Sequence, residues 1–419
     1  MFERFDVAVI GAGAAGIAAA RRLRRAGRSV IVLEAGQRIG GRACTLAVEG
    51  MALDMGCGWL HSADRNPFVA LARENGFAVD RSASAWSEQY RDLGFPREDR
   101  QAANAAWDAL EARLIRDPPA SDRACDAVEP GSRWRPFLEA LSGYVNGVGL
   151  DDLSVADYLA YSRAAGERNW RIPAGYGTLI ASLLPTLPLH LSTPVTAIDI
   201  AGSGVKLATR RGEIVAKTAI VTVSTVVLVS GRIAFPSTMD DHLHAASQLP
   251  LGLADKLFFA LEEGHGLEPE THLLGNPASG RTGSHYLMPF SRPVVESFFG
   301  GEGAEMLERE GLHGAADYAI DELAALLGSR IRDKLRLAAG TRWRRMDDIG
   351  GSYSHAMPGC ASARAILARP VDARLFFAGE ATHPSDFSTA HGAWTSGERA
   401  ADEAISSLAS ARVGASATD

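Results

Sequence analysis

A chain of 419 residues is too long for one compact core, so two domains are expected. With 46% apolar and 22% charged residues it reads as a soluble globular protein without low-complexity tracts. A net charge of −7 argues against nucleic-acid binding through a basic face and suits a cationic small molecule.

The chain opens with "DVAVIGAGAAGIAAARRLRRAG", Asp6 to Gly27. Val7 to Ile10 read as a fully buried strand of a parallel sheet. Gly11, Gly13 and Gly16 give the G-x-G-x-x-G spacing. The first glycine allows the turn, the second lets backbone approach a pyrophosphate, and the third lets helix pack on strand. Ala14 to Ala26 follow as a helix whose first N–H groups face the phosphates. The basic run Arg21, Arg22, Arg24 and Arg25 lies beyond the helix start and reads as a solvated face. A second strand, Ser29 to Leu33, ends in Glu34, 18 residues after Gly16 (34 − 16), where an acidic side chain grips ribose hydroxyls. A dinucleotide fold follows, with FAD and NAD both open.

Three stretches with helical spacing come next, Arg100–Asp117, Trp134–Gly147 and Ser154–Gly166. From Pro194 the pattern turns to strands, "PVTAIDI" and "GVKLATRRGEIVAKTAIVTV", then "ADKLFFAL" and "VVESFFGG". A helix, "ADYAIDELAALLGS", a buried strand at Arg374–Gly379 and a closing helix from about His391 complete the pattern. The fold class is α/β, with a discontinuous nucleotide domain over 1–75, 188–232 and 340–419. A substrate domain of mixed α+β character spans 76–187 and 233–339, and ligands favour the crevice between two such units. Cys44, Cys57, Cys125 and Cys360 lack metal-ligand spacing and read as free thiols of a reducing compartment. The early first strand leaves no room for a signal peptide, and Ala219–Gly231 is too short to span a bilayer. A cytoplasmic protein with no membrane partner is expected. His242 and His244 have no matching ligands elsewhere, so no metal is expected.

At "RIGGRA" the sequence becomes specific: Arg38, Gly40, Gly41 and Arg42 form an R-x-G-G-R element. "LDMGCGWLHSADRNPF" (Leu53–Phe68), "TPVTAI" (Thr193–Ile198) and "LPLGLADKLFFAL" follow in order. "RWRRMDDIGGSYSHAMPG" and "LFFAGEATHPSDFSTAHGAWTSGERAA" close the series. Together they resemble the flavin amine oxidases over nearly the whole chain, most closely the polyamine oxidase branch. The resemblance implies a Rossmann-like domain holding FAD. Its cofactor contacts would come from Gly11, Gly13, Ala14, Ala15, Gly16, Glu34 and Ala35, then Gly41, Arg42, Gly58 and Trp59. Val195, Gly379, Glu380 and Ala390 complete that set. Arg42 would place a bidentate donor on pyrophosphate, and Glu380 would accept from ribityl hydroxyls. The backbone opening the last helix would favour the anionic reduced flavin.

The resemblance further implies that Lys256 bonds a water near flavin N5 and assists reaction with oxygen. The alternative for Lys256 is a plain edge-strand lysine. Tyr353 would form one wall of an aromatic cage that steers an amine. The second wall is aromatic in many relatives, and the matching position here holds Thr389. Trp394, Trp343, Phe387 or Trp59 would have to supply that ring. His61 would accept from an ammonium or order water. Ser352 stands where mitochondrial monoamine oxidases carry a flavin-linked cysteine, so the FAD would be non-covalent. Ser224 replaces a proline usual in the family.

The implied reaction is hydride transfer from the carbon α to nitrogen onto flavin N5. The imine then hydrolyses to an aldehyde or ketone, and O2 reoxidises the flavin to give H2O2. Rate would rise with pH as the amine deprotonates. An FAD-dependent L-amino-acid oxidase is the first alternative, with Arg65, Arg81 and Arg171 as candidate carboxylate clamps. A flavoprotein acting mainly as a partner-binding module is the second. The expected partners are an amine, oxygen and, as is common in such enzymes, a second copy in a homodimer.

Overall fold

The computed structural model describes residues 4–202 and 204–416. Its first sheet carries the opening motif. Strand Arg4–Ile10 lies parallel between Val30–Leu33 and Gly212–Val221, with Val9 opposite Val32 on one side and Ile220 on the other. Leu189–His190 extends one edge, and Leu375–Phe377 joins Gly212–Val221 in parallel. The strands Gly204–Thr209 and Val195–Ala201 add an antiparallel flank.

Both faces of this sheet are covered, which is why its central strand is apolar and buried from Val7 to Ile10. Val7 and Val9 pack on the alanine-rich sides of the helices Ala14–Arg25 and Ala390–Ser416, through Ala15, Ala19, Ala400 and Ala404. Ala8 and Ile10 point the other way, into Val205, Leu207, Met239 and Ala245. Each fully buried valine or isoleucine contributes about 1.5–3 kcal/mol relative to exposure.

The second sheet is antiparallel, in the order Thr271–Leu274, Ser284–Leu287, Val294–Gly300, Ala254–Leu261, Leu335–Gly340. Side chains alternate across it. Leu257, Phe259, Leu273, Leu287, Val295 and Phe299 pack under the helix Glu302–Leu327. Lys256, Phe258, His272, Tyr286, Glu296 and Phe298 occupy the opposite face, which walls the cavity described below. Ala254–Leu261 lies between two neighbours, so Lys256 is on an interior strand, contrary to the edge-strand alternative.

The three expected central helices form as Arg97–Arg116, Arg135–Asn146 and Val155–Ala164. The long helix begins earlier than its spacing suggested, at Glu302, because a break at Gly311 (φ +78°) disrupts the periodicity. The strands 271–274 and 284–287 were not anticipated; four residues each are too few for a readable alternation. The apolar run 219–231 divides into the end of a strand and a short helix, Thr225–Val229, capped by Ser224 accepting from Val227 N. Among the described residues no helix is long and apolar enough to cross a membrane.

Candidate active site

One cavity of about 1770 Å³ runs between the two sheets, larger than the roughly 300–1,000 Å³ that holds a drug-sized ligand. It begins at the glycine turn. Gly11 takes φ +103°, a conformation open chiefly to glycine, and reverses the chain between strand and helix. Gly13 caps the helix without a side chain, and a Cβ placed there would meet nothing closer than 3.9 Å. The first helical N–H groups, of Ala14 and Ala15, are therefore open toward the cavity. Gly16 behaves differently. A Cβ on it would sit 1.9 Å from Gly11 O, so it permits close helix–strand packing and does not line the cavity.

The double-glycine element folds over this turn. Gly40 N donates to Ala12 O at 2.7 Å, and a Cβ on Gly41 would lie 3.3 Å from Gly13 Cα. Glu34 closes the side, accepting from Ala12 N at 2.6 Å and Gly36 N at 2.7 Å. Burial pushes its carboxyl up, against the pull of those amides. Ala35 and Val195 line the same end.

Arg42 does not reach out alone. Its Nη1 donates to Glu380 Oε1 at 2.9 Å and to Ser352 O. Glu380 also accepts from Ser354 Oγ (2.7 Å), Ser354 N (3.2 Å) and Ser388 N (2.8 Å). Burial alone would raise this carboxyl, but Arg42, Arg364 and these donors outweigh it and hold it below the usual range. Arg364 is in turn gripped by Asp157 at 2.6 and 2.7 Å. The sequence reading gave Arg42 and Glu380 separate tasks, and the fold joins them.

The far half of the cavity gathers the remaining candidates. Lys256 Nζ donates to Asp54 O at 2.9 Å and pairs with Glu296 at 2.7 Å. Two of its three N–H donors are thereby used. Gly58 gives it room, since a Cβ there would lie 3.3 Å from Nζ. Tyr353 OH donates to Tyr144 O at 2.6 Å, which fixes the ring as a wall. His61 Nδ1 meets Asn169 Oδ1 at 2.7 Å, and Asn169 Nδ2 donates to Glu167 O. That arrangement puts the proton on Nδ1 and leaves Nε2 as an acceptor. Burial lowers the imidazole pKa, so the ring is neutral near pH 7.

Thr389 lines the cavity, but its hydroxyl is occupied. It donates to Asp386 O at 2.6 Å and accepts from Gly392 N at 2.9 Å, capping the first turn of the last helix beside Ala390. It supplies no ring. Of the four substitutes, Trp59, Trp343 and Phe387 line the cavity. Trp394 is instead packed against Phe68, with ring centroids 5.0 Å apart. Trp59 is part of an aromatic wall, 4.3 Å from Trp86 and 6.1 Å from Tyr286.

Other lining residues escaped the sequence reading: Trp86, Tyr144, His272, Tyr286 and Phe298. A signal existed for some of them. In "VVESFFG" the alternation of Val295, Ser297 and Phe299 with Glu296 and Phe298 marks two distinct faces. Of the candidate carboxylate clamps Arg171 lines the cavity, and all three are already engaged by other groups. Arg171 binds Asp80 at 2.6 Å and Glu270 at 2.7 Å, Arg65 pairs with Asp386, and Arg81 lies over Trp170. Ser352 Oγ is likewise held, by Ala254 N and O. His242 bonds Arg369 O and stacks on Phe377.

Comparison with known proteins fits this geometry. A family model described as flavin containing amine oxidoreductase matches residues 14–405. Polyamine oxidase 2 of Arabidopsis thaliana is 28% identical over 434 residues, covering 95% of this chain and 87% of that one. Lysine-specific histone demethylase 1 homolog 3 of Oryza sativa subsp. japonica is 29% identical over 94% of this chain, which spans only 53% of that protein. Among solved structures, wild-type putrescine oxidase bound to putrescine is similar in fold. Its TM-score is 0.79 at 20% identity, over 97% of this chain and all of that one.

Proposed function

This chain belongs to the flavin-containing amine oxidoreductase family and is an FAD-dependent amine oxidoreductase, and from that premise we propose that it oxidises a small amine at its C–N bond with oxygen as acceptor. One observation carries the reading: a single cavity connects the open helix start at Gly13 with the chamber of Lys256, Tyr353 and His61. We take the first sheet's unit as the cofactor domain and the second sheet with the central helices as the substrate domain.

The residues fit the cofactor. Gly11, Gly13, Ala14 and Ala15 would receive the diphosphate on open N–H groups, and Glu34 the ribose. Arg42, anchored by Glu380, would add positive charge, and the backbone at Ala390 would meet the flavin's electron-rich edge. Ser352, a hydroxyl already bonded to Ala254, supports non-covalent binding. Denaturing the protein would then release all of its flavin. The free cysteines support a reducing, cytoplasmic setting.

Bound there, FAD would supply the redox chemistry, the two-electron oxidation of the amine's C–N bond coupled to reduction of O2 to H2O2. The protein's task is to admit the neutral amine and hold it dry. Tyr353 and Trp59 present rings that shape the passage of the amine and exclude water. His61 Nε2 accepts a hydrogen bond from the amine nitrogen, while the unused N–H of Lys256 holds a water in the chamber. The product imine hydrolyses to an aldehyde or ketone.

The test is product stoichiometry in air. The reading predicts one peroxide and one carbonyl per amine consumed. Carbonyl without peroxide would replace oxygen by another acceptor, and neither product with any amine would overturn the reading.

A further inference from the structure

Around Tyr144 the lining of the same cavity turns apolar, and this part of it forms an apolar compartment. Tyr144, which holds the Tyr353 hydroxyl, stacks on Phe298 at 5.9 Å. From there the wall passes to Leu141, Phe137 and Phe95 of the helical insert and to Leu274 of the second sheet. Phe95 and Phe137 are themselves in contact, with centroids 5.7 Å apart, and both are buried. Asn104 and Asn146 also line this wall, and two neighbouring polar side chains, Gln89 and His272, are already satisfied. Gln89 bonds Leu93 O and both backbone groups of Leu274, and His272 bonds Glu88 O and Ser284.

The charged groups that line the far half are likewise committed. Glu296 is paired with Lys256, and Arg100 with Asp92. Arg171 carries both Asp80 and Glu270, while Arg292 donates to two backbone carbonyls. Asp54 accepts from Thr45 and two amides. Among the described residues of this half, the carboxylate lacking such a partner is Glu88, which is exposed beside Trp86. A second ammonium entering the compartment would be stripped of water without a buried counter-charge, which is costly. An apolar body would instead gain from each methylene removed from water.

We infer that the substrate of this site is a monoamine with an apolar alkyl or arylalkyl body, seated in the compartment between Tyr144, Phe298, Phe137 and Leu274. The inference rests on the amine-oxidase reading above and narrows it to a class.

The test compares matched substrates on the flavin-loaded protein. One series is n-alkylamines from propyl to octyl with phenethylamine, and the other is putrescine, hexamethylenediamine and spermidine. Within the alkyl series, kcat/KM should climb about threefold to fourfold per methylene until the compartment is full. Hexylamine should exceed hexamethylenediamine by on the order of 10- to 100-fold. Leu141→Glu, which adds a carboxylate to a half-buried wall position, should narrow that gap while Leu141→Gln does not. If Leu141→Glu fails to fold, the two series on the unaltered chain decide alone. Diamines equal to or better than monoamines, with that preference lost in Glu88→Gln, would overturn the inference and leave the oxidase reading intact. An alkyl series without length dependence would also overturn it. No turnover with any amine would overturn both.

Discussion

Arg42 and Glu380 lie 338 residues apart in the chain and 2.9 Å apart in the fold, joined by a hydrogen bond across the cavity wall. Glu380 collects three further donors from Ser354 and Ser388, so one carboxylate ties the double-glycine loop to the last two motifs. Removing its charge leaves the half-buried Arg42 without its carboxylate, while Arg364 keeps Asp157, and breaking a buried pair costs up to about 3–5 kcal/mol. Glu380→Gln should therefore lower the urea unfolding free energy by about 3 kcal/mol and reduce the flavin retained on purification. An unchanged midpoint with full flavin content would contradict this role.

The two glycines that begin and end the turn's second half should separate folding from cofactor binding. Gly13 has φ −76°, open to any residue, with free space beyond it. Gly13→Ala should fold with near-normal stability and bind flavin poorly, because its methyl group faces the helix start. Gly16→Ala forces a Cβ to 1.9 Å from Gly11 O and should destabilise the fold by on the order of 3 kcal/mol or more. Circular dichroism and flavin absorbance on the two variants distinguish these outcomes.

Lys256 has two donors bound to protein and one left for the chamber. The double variant Lys256→Met with Glu296→Gln removes the amine without stranding its partner's charge. Aerobic turnover should fall by on the order of 10²-fold, while anaerobic bleaching by substrate remains within about tenfold. Equal losses in both half-reactions would make Lys256 a structural residue of its strand.

Acid should unfold the protein through its buried histidines. Burial pushes His272 down to about 4, and burial with the nearby Arg364 guanidinium pushes His355 down to about 4. Each ring is favoured neutral in the native state, so the unfolded chain binds more protons between about 6.5 and 4. Stability is present above pH ~6.5 and is lost as pH falls toward 4, by up to about 3 kcal/mol per ring. His355→Gln should flatten that slope in urea titrations between pH 7.5 and 4.5. A variant with the same slope as the parent would show that His355 does not drive it.

Much of this was readable in the sequence because local physics carried it. The strand–turn–helix at residues 4–25 needs its glycines wherever it occurs, and an apolar strand holding Lys256 signals a lysine with a task. Lys256, Tyr353 and His61 do converge on one cavity with the glycine turn. What stayed hidden is tertiary. Nothing near Thr389 shows that it caps a helix, or that Trp86 packs against Trp59 in the cavity wall. Trp86 lies in a loop with no periodicity, and Arg42 with Glu380 becomes a pair only when the chain ends meet. The strands carrying His272 and Tyr286 are four residues long, so their alternation is visible only beside their neighbours.

The most direct test of the central claim is an anaerobic titration of the purified protein with an amine, followed by the visible flavin band. The account predicts a yellow protein whose flavin bleaches stoichiometrically and whose colour returns with peroxide when air is admitted. A protein that binds no flavin, or a bound flavin that no amine reduces, would contradict it.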